Sequence, residues 1–323
     1  MEDISVYPSR VKANESHSVQ RKWSSSFHKE VDITSRLLAG NWLHFVATYY
    51  ISILSRLLMQ PLPLPKMVEV LIICLPFSLI TAYQFEIAQQ TLSPLEDKLN
   101  KPNRPIPAGL ITVDRARTRW ILSWILTTCI FYLFCGANVA LWACVSQFVT
   151  LFFYVWPAFN HVICRNLFTG VISIPLHRGL NAVFMASATE LELPVAVDLA
   201  LALWLSSTIH LQEFRDAEGD RLSNKKTLAT ILSSKGLSAL RIITAAIMVG
   251  WAILVYFYSW VTSSAQQEPT VFWTWVLCFI GASNVAVQLL FYDNDNIPKS
   301  TYHYFYYLAF WTFDLHLVLL AFS

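Results

Sequence analysis

Residues 67–90 read MVEVLIICLPFSLITAYQFEIAQQ, and residues 91–107 continue TLSPLEDKLNKPNRPIP. As an α-helix the first string would reach about 36 Å, more than the hydrocarbon thickness of a bilayer. It delivers Glu86, Gln89 and Gln90 to its polar end. Pro94 then disfavours a regular helix at the residue before it, and three prolines at 102, 105 and 107 stiffen a charged loop. An apolar span running into a stiff charged loop reads as a membrane helix meeting water.

Working outward, the whole chain repeats that pattern. It has 323 residues, of which 55% are hydrophobic and 14% charged, with a mean hydropathy of +0.47. Soluble domains carry roughly 25% charged residues, so an ordinary soluble globule is excluded. Nine Gly and six Cys likewise exclude a collagen-like chain and a disulfide scaffold. A net charge of +2, with no basic patch interleaved with aromatics, leaves no nucleic-acid partner expected. No protein partner is evident. The expected partner for most of the surface is the lipid bilayer.

Nine apolar stretches are long enough to span it: 39–59, 67–90, 116–135, 138–159, 167–188, 194–211, 237–261, 271–292 and 301–322. The third and fourth meet at Gly136 and are expected to form a tight hairpin. The expected fold is therefore all-α, an integral membrane protein. Residues 1–36 are polar and are expected to form a flexible cytosolic tail, not a signal peptide. Residues 37–323 form the expected membrane domain. With the amino terminus cytosolic, every Lys and Arg except Arg56, Lys66 and Arg178 falls on or beside an inside segment, as the positive-inside rule demands. The cysteines show no metal-type spacing and read as small packing residues.

Two inside loops carry acids and cations together. In the first, helical spacing puts Glu86, Gln89, Gln90, Ser93 and Asp97 near one face, and Lys101 and Arg104 follow on the proline-stiffened backbone. Thr112 reads as the N-cap of the next span, with Asp114 in its first turn. In the second loop Gln212, Asp216 and Asp220 recur every four residues, beside Arg215, Arg221, Lys225 and Lys226. Alternating charges at a membrane surface are often only a solvated face with weak salt bridges. Here both loops lie on one side of the membrane, and the acids are spaced as oxygen ligands for a hard cation such as Mg²⁺. Acids for the metal and Lys or Arg for phosphate oxygens suit a metal–diphosphate complex.

The run Asp97-Lys98-Leu99-Asn100-Lys101-Pro102-Asn103-Arg104-Pro105-Ile106-Pro107 resembles the end of the first Asp-rich motif of the UbiA prenyltransferase superfamily. Arg215-Asp216-Ala217-Glu218-Gly219-Asp220-Arg221, with Lys226-Thr227-Leu228 after it, resembles the second. The resemblance implies nine transmembrane helices around a central cavity, with an Mg²⁺-bound isoprenyl diphosphate under the cytosolic loops. It implies metal ligation by Glu96, Asp97, Asp216 and Asp220, and a grip on the diphosphate by Lys101, Arg104, Arg221 and Lys225. Gln89 stands at the leading position of the first motif, where the family has Asn, and Ser93 stands for one Asp. Gln90 is a further candidate oxygen donor. This Gln-rich form ending in Glu-Asp resembles a fungal branch that includes membrane-bound sesquiterpene cyclases. Fungal relatives imply the endoplasmic reticulum. His177-Arg178-Gly179-Leu180-Asn181 resembles an Arg-Gly…Asn segment of the fifth span, implying that Arg178 and Asn181 line the cavity.

The activity implied is Mg²⁺-dependent ionisation of an isoprenyl diphosphate, farnesyl diphosphate first, and cyclisation of the carbocation. A prenyltransferase that passes the same cation to an aromatic or other acceptor is the alternative, and a transporter or inactive scaffold is a third reading. Aromatic candidates for the cavity wall are Tyr83, Phe85, Phe152, Phe153, Tyr154, Trp156, Tyr302, Tyr304, Phe305, Tyr306, Tyr307 and Trp311. Asp314 in the last span is a buried charge that either pairs with an Arg or His or takes the final proton. His44, His210 and His316 read as hydrogen-bonded packing residues. The charge bias predicts that a tag at residue 1 is cytosolic and one at residue 323 is on the opposite face. Protease protection of tagged microsomes checks both ends.

Overall fold

The computed structural model describes residues 26–92, 94–156, 162–187, 192–222, 226–261, 269–292, 298 and 300–322. Within these ranges the side chains of Glu96, Leu99, Asn100, Arg165, Ser187, Arg215, Asp216, Glu218 and Leu222 lie outside the description. Every regular element among the described residues is helical.

The elements run α1 (Ser26–Leu38), α2 (Trp42–Met59), α3 (Leu64–Gln90), α4 (Pro94–Asn100), α5 (Val113–Cys135) and α6 (Ala137–Val149). A π-helical turn, Thr150–Val155, extends α6. Then come α7 (Val162–Ser187), α8 (Val195–Thr208), α9 (Leu211–Leu222), α10 (Leu228–Ile231), α11 (Ser234–Val261) and α12 (Pro269–Phe291). A second π-helical turn, Thr301–Tyr306, opens α13 (Tyr307–Phe322).

Local chemistry explains several boundaries. Pro63 and Pro65 start α3, where a missing N–H costs nothing. The Thr112 side chain accepts from the Arg115 amide and caps α5, with Asp114 in the first turn. Gly136, at φ +93°, makes the expected hairpin between α5 and α6, a backbone position that a side chain would strain.

Over its described residues, each of the nine expected stretches overlaps one of these helices. By length and composition seven described helices are fit to cross a membrane, and α1 with α2, bent by 65°, makes an eighth. α7 is 26 residues long but carries Asn166, His177, Arg178 and Asn181, all buried, and does not pass the same test. Within the expected amino-terminal tail, residues 26–36 form most of α1. Ile33 and Leu37, one helical turn apart, are buried against Ile87, Ala88, Ile111, Ala116 and Trp120. The i,i+4 pair gives that segment an apolar face its polar composition conceals. Residues 1–25 lie outside the described residues.

Two apolar cores form. One joins α2, α3, α5, α6 and α7, and the other joins α8, α9, α11, α12 and α13. The outward surface is apolar too: Leu126, Leu133, Phe134, Val261 and Phe291 are all exposed. Patches of that extent on a soluble monomer would aggregate, and in lipid they are the solvated face.

Close helix contacts rest on small residues. A Cβ at Gly170 of α7 would collide with the Ala202 carbonyl and the Ser206 hydroxyl of α8. One at Gly281 of α12 would lie 2.8 Å from the Ala309 amide nitrogen of α13. Gly250, by contrast, faces open space. Gly170→Ala and Gly281→Ala are therefore expected to destabilise by about 1–3 kcal/mol. Gly250→Ala should be neutral or stabilise by up to about 1 kcal/mol. Thermal melting in detergent distinguishes them.

Candidate active site

The mouth is built where α3 ends. Glu86 is fully buried, and the loop after α4 folds back to bring Arg104 onto it. Arg104 Nη2 donates to Glu86 Oε2 at 2.9 Å and to Gln89 Oε1 at 3.3 Å. Its Nη1 donates to both Asp97 oxygens, at 3.0 and 2.9 Å. The other Glu86 oxygen accepts from the Asn41 amide at the start of α2. Burial pulls the Arg104 pKa down, but the carboxylates of Glu86 and Asp97 outweigh it and hold the guanidinium above its ordinary value. The guanidinium is thus a permanent cation between two acids.

The two charged loops meet. α4 packs beside α9, with Cα atoms of the two within 8 Å, and the cavity beneath is lined by Lys101 from the first loop and Asp220 from α9. Asp220 is only 1% exposed. Gln89, Gln212, Glu213, Asn166 and Thr227 complete this end. Glu213 Oε2 accepts from the Leu228 amide at 2.7 Å, tying α9 to α10, and Thr227 and Thr230 form a capping box there. Among the described residues no group of three or more His, Cys, Asp or Glu side chains converges as a metal site. Two of the four expected ligands, Glu96 and Asp216, have side chains outside the description. The donors at the mouth, carboxylate and amide oxygens with no thiolate or imidazole, are of the type a hard divalent cation takes.

Below the mouth the cavity holds about 300 Å³ and passes between the two apolar cores. Aromatic rings line it: Phe85, Tyr154, Phe168, Tyr302, Tyr306, Tyr307 and Phe310. The His44 ring stacks on Tyr307 at 3.9 Å between centroids, nearly parallel to it. Both π-helical turns feed this wall, through Thr150 and Tyr154 on one side and Tyr302 and Tyr306 on the other. Such turns often mark functional sites. At the floor stand Ser52, His177 and Asp314.

The structure sorts the expected residues. Asp220, Lys101 and Gln89 line the cavity. Asp97 and Arg104 stand behind it, bound to one another, so Arg104 is engaged by acids where a grip on the substrate was expected. Its hydrogen bonds to two buried acids explain that preference. Gln90 is fully buried and outside the lining, and Arg221 is exposed. Ser93 and Lys225 lie outside the described residues.

Neither Arg178 nor Asn181 is among the residues that line the cavity. His177 takes that face of α7, and Arg178 is turned by about 100° as the next helical residue. Arg178 instead pairs with Asp198 and, at 2.9 Å, with Glu192. Asn181 accepts from Arg56.

Of the aromatic candidates, Phe85, Tyr154, Tyr302, Tyr306 and Tyr307 line the wall. Tyr83, Phe152, Phe153, Trp156, Tyr304, Phe305 and Trp311 do not. Sequence reasoning missed Phe45, Tyr49, Phe168 and Phe310, which no motif flags. His210 bonds Thr244 at 2.6 Å, and His316 bonds Ser259 at 2.9 Å and Thr274 at 3.0 Å. His44, in contrast, belongs to the cavity wall.

Comparisons with known proteins agree with this architecture. The chain is 30% identical to the diterpene cyclase eriG of Hericium erinaceus over 158 residues, 48% of this chain and 49% of that one. It is 26% identical to the polyprenyl transferase eriF of the same fungus over 218 residues, 64% of this chain and 70% of that one. A somaliensene A/B synthase of Streptomyces somaliensis is 28% identical over 158 residues, 47% and 49% of the two chains. The matches to the diterpene cyclase and the somaliensene synthase thus span about half the length of those proteins. A solved structure of digeranylgeranylglyceryl phosphate synthase in membranes superposes with a TM-score of 0.53 at 17% identity, covering 91% of this chain and 97% of that one, and shares the fold. Residues 57–313 match the UbiA prenyltransferase family, and with most of its length inside that match the chain belongs to this family.

Proposed function

We propose that this protein is a membrane-embedded, Mg²⁺-dependent terpene cyclase that ionises an isoprenyl diphosphate, farnesyl diphosphate in the first instance, and cyclises the resulting carbocation. The observation that carries this reading is a single chamber with three zones. A polar mouth where Lys101 and Asp220 meet opens onto an aromatic wall, and the chamber ends on a buried floor.

At the mouth, Lys101 donates hydrogen bonds to diphosphate oxygens. Asp220, with Asp216 one turn earlier on α9 and the amide oxygens of Gln89 and Gln212, would hold the metal. When bound, Mg²⁺ neutralises charge developing on the departing diphosphate. Arg104 acts from behind, holding Asp97 in place through both its oxygens. Leu176, Leu180, Leu201, Leu205 and Ile209 exclude water from the prenyl chain. The ring faces of the wall offer about 0.5–2 kcal/mol each to a nearby cation without a strong nucleophile to quench it.

The polyprenyl transferase relative, matched over a longer stretch than the cyclases, favours a second reading in which the cation passes to an acceptor. Incubation with Mg²⁺ and a farnesyl or geranylgeranyl diphosphate alone separates the two. A cyclase releases a cyclic terpene with diphosphate, and a transferase stays idle until an acceptor is added. The mouth and the active-site loops are cytosolic in this reading, in an endoplasmic reticulum membrane.

Asp220→Asn is expected to slow diphosphate release by about 100-fold or more, and chelation with EDTA should abolish it reversibly. Unchanged release in either case would sink the assignment of the mouth. Arg104 and Lys101 should separate stability from chemistry. Arg104→Gln removes the guanidinium that the buried Glu86 and Asp97 share and is expected to cost about 3–5 kcal/mol of stability, part of it recovered by adding Glu86→Gln. Lys101→Gln should lower diphosphate release at a smaller cost in melting temperature than Arg104→Gln, because Lys101 lines the cavity and Arg104 lies buried behind it.

A further inference from the structure

The floor of the chamber holds a polar cluster that ionisation at the mouth does not use. His177 Nδ1 donates to Asp198 Oδ1 at 2.6 Å, so Nε2 carries the ring's lone pair, and it accepts from Ser52 Oγ at 2.9 Å. Asp314 Oδ1 lies 3.6 Å from the same Nε2. That oxygen is buried and has no hydrogen-bond partner among the described residues, although Asp314 lines the chamber. Behind this layer Arg178 pairs with the second oxygen of Asp198 and donates to the Leu193 carbonyl at 3.0 Å. It also reaches Glu192, whose side chain is 69% exposed.

Both acids beside the ring, Asp198 and Asp314, are 1% exposed, and the Arg178 guanidinium pairs with Asp198. Asp314 faces the ring across 3.6 Å, so a proton arriving at Nε2 places the new cation beside a buried acid. Asn166 at the mouth and His177 at the floor are about 17 Å apart along α7 at the α-helical rise, which removes the floor from the diphosphate.

We propose that His177 is the base that ends the reaction; this role rests on the cyclase reading above. A C–H bond on the carbon next to the cationic centre breaks, and its electron pair closes a C=C bond. The proton goes to Nε2 of His177. The imidazolium then lies between Asp198 at Nδ1 and Asp314 at Nε2, and water takes the proton once the olefin has left. Asp198 and Arg178 are positioning residues: they fix the ring's tautomer and direction from behind, as carboxylates do for catalytic imidazoles.

The test uses the full chain in detergent with Mg²⁺ and whichever prenyl diphosphate turns over, comparing His177→Gln and Asp314→Asn with the unaltered protein. Products are counted per mole of diphosphate released, so that a general loss of fold or ionisation cancels. Olefins formed by deprotonation are expected to fall at least about 10-fold in His177→Gln, replaced by alcohols from water capture or by linear products released early. Asp314→Asn should shift the profile in the same direction. It is isosteric and carries the test by itself if His177→Gln does not fold. An unchanged profile in both variants would overturn the role and leave the diphosphate or water as the base. A chain that releases no diphosphate without an acceptor would overturn the cyclase reading instead.

Discussion

A buried acid at the edge of a hydrocarbon slab is costly unless it is paired, and here Glu86 and Asp97 share one side chain, Arg104. That three-way contact joins the end of α3, the short α4 and the proline-stiffened loop into one unit, and the Asn41 amide ties the start of α2 to the same carboxylate. Lys101 is three residues from Arg104 on that loop, so fixing the guanidinium also carries Lys101 to the chamber mouth. α4 leans on α9, which brings Asp220 to the same place. The relative position of two loops far apart in the chain thus depends on how one buried arginine is shared.

The helices were legible because lipid imposes a simple rule: each crossing needs a long apolar run, and each polar junction needs turn chemistry. Thr112, Gly136 and the prolines at 63 and 65 declare their boundaries without any partner. α1 escaped notice because Ile33 and Leu37 form an apolar face only two residues wide, in a segment whose average composition is polar.

The site was half legible, and the division is physical. Spacing along one element survives folding, so Gln212 and Asp220, two turns apart, do share a face. Contacts between elements are not written in spacing. Nothing local says that Arg104 will choose Glu86 and Asp97, or that His177 and not Arg178 will take the cavity face of α7. Phe168 and Phe310 carry no signal except apolarity, which every span shares. His44 looked like packing because its stacking partner, Tyr307, comes from the other end of the chain.

Both aromatic walls of the chamber begin in stretches wound one residue looser than an α-helix, at Thr150–Val155 and Thr301–Tyr306. A π-helical turn accommodates one surplus residue, so losing a single residue there would tighten it to ordinary winding while the helix on either side kept its facing. What would change is the wall itself, because Tyr154 in the first turn and Tyr302 and Tyr306 in the second would shift along it. The contour seen by a bound hydrocarbon is therefore governed by chain length at two points as well as by side-chain identity.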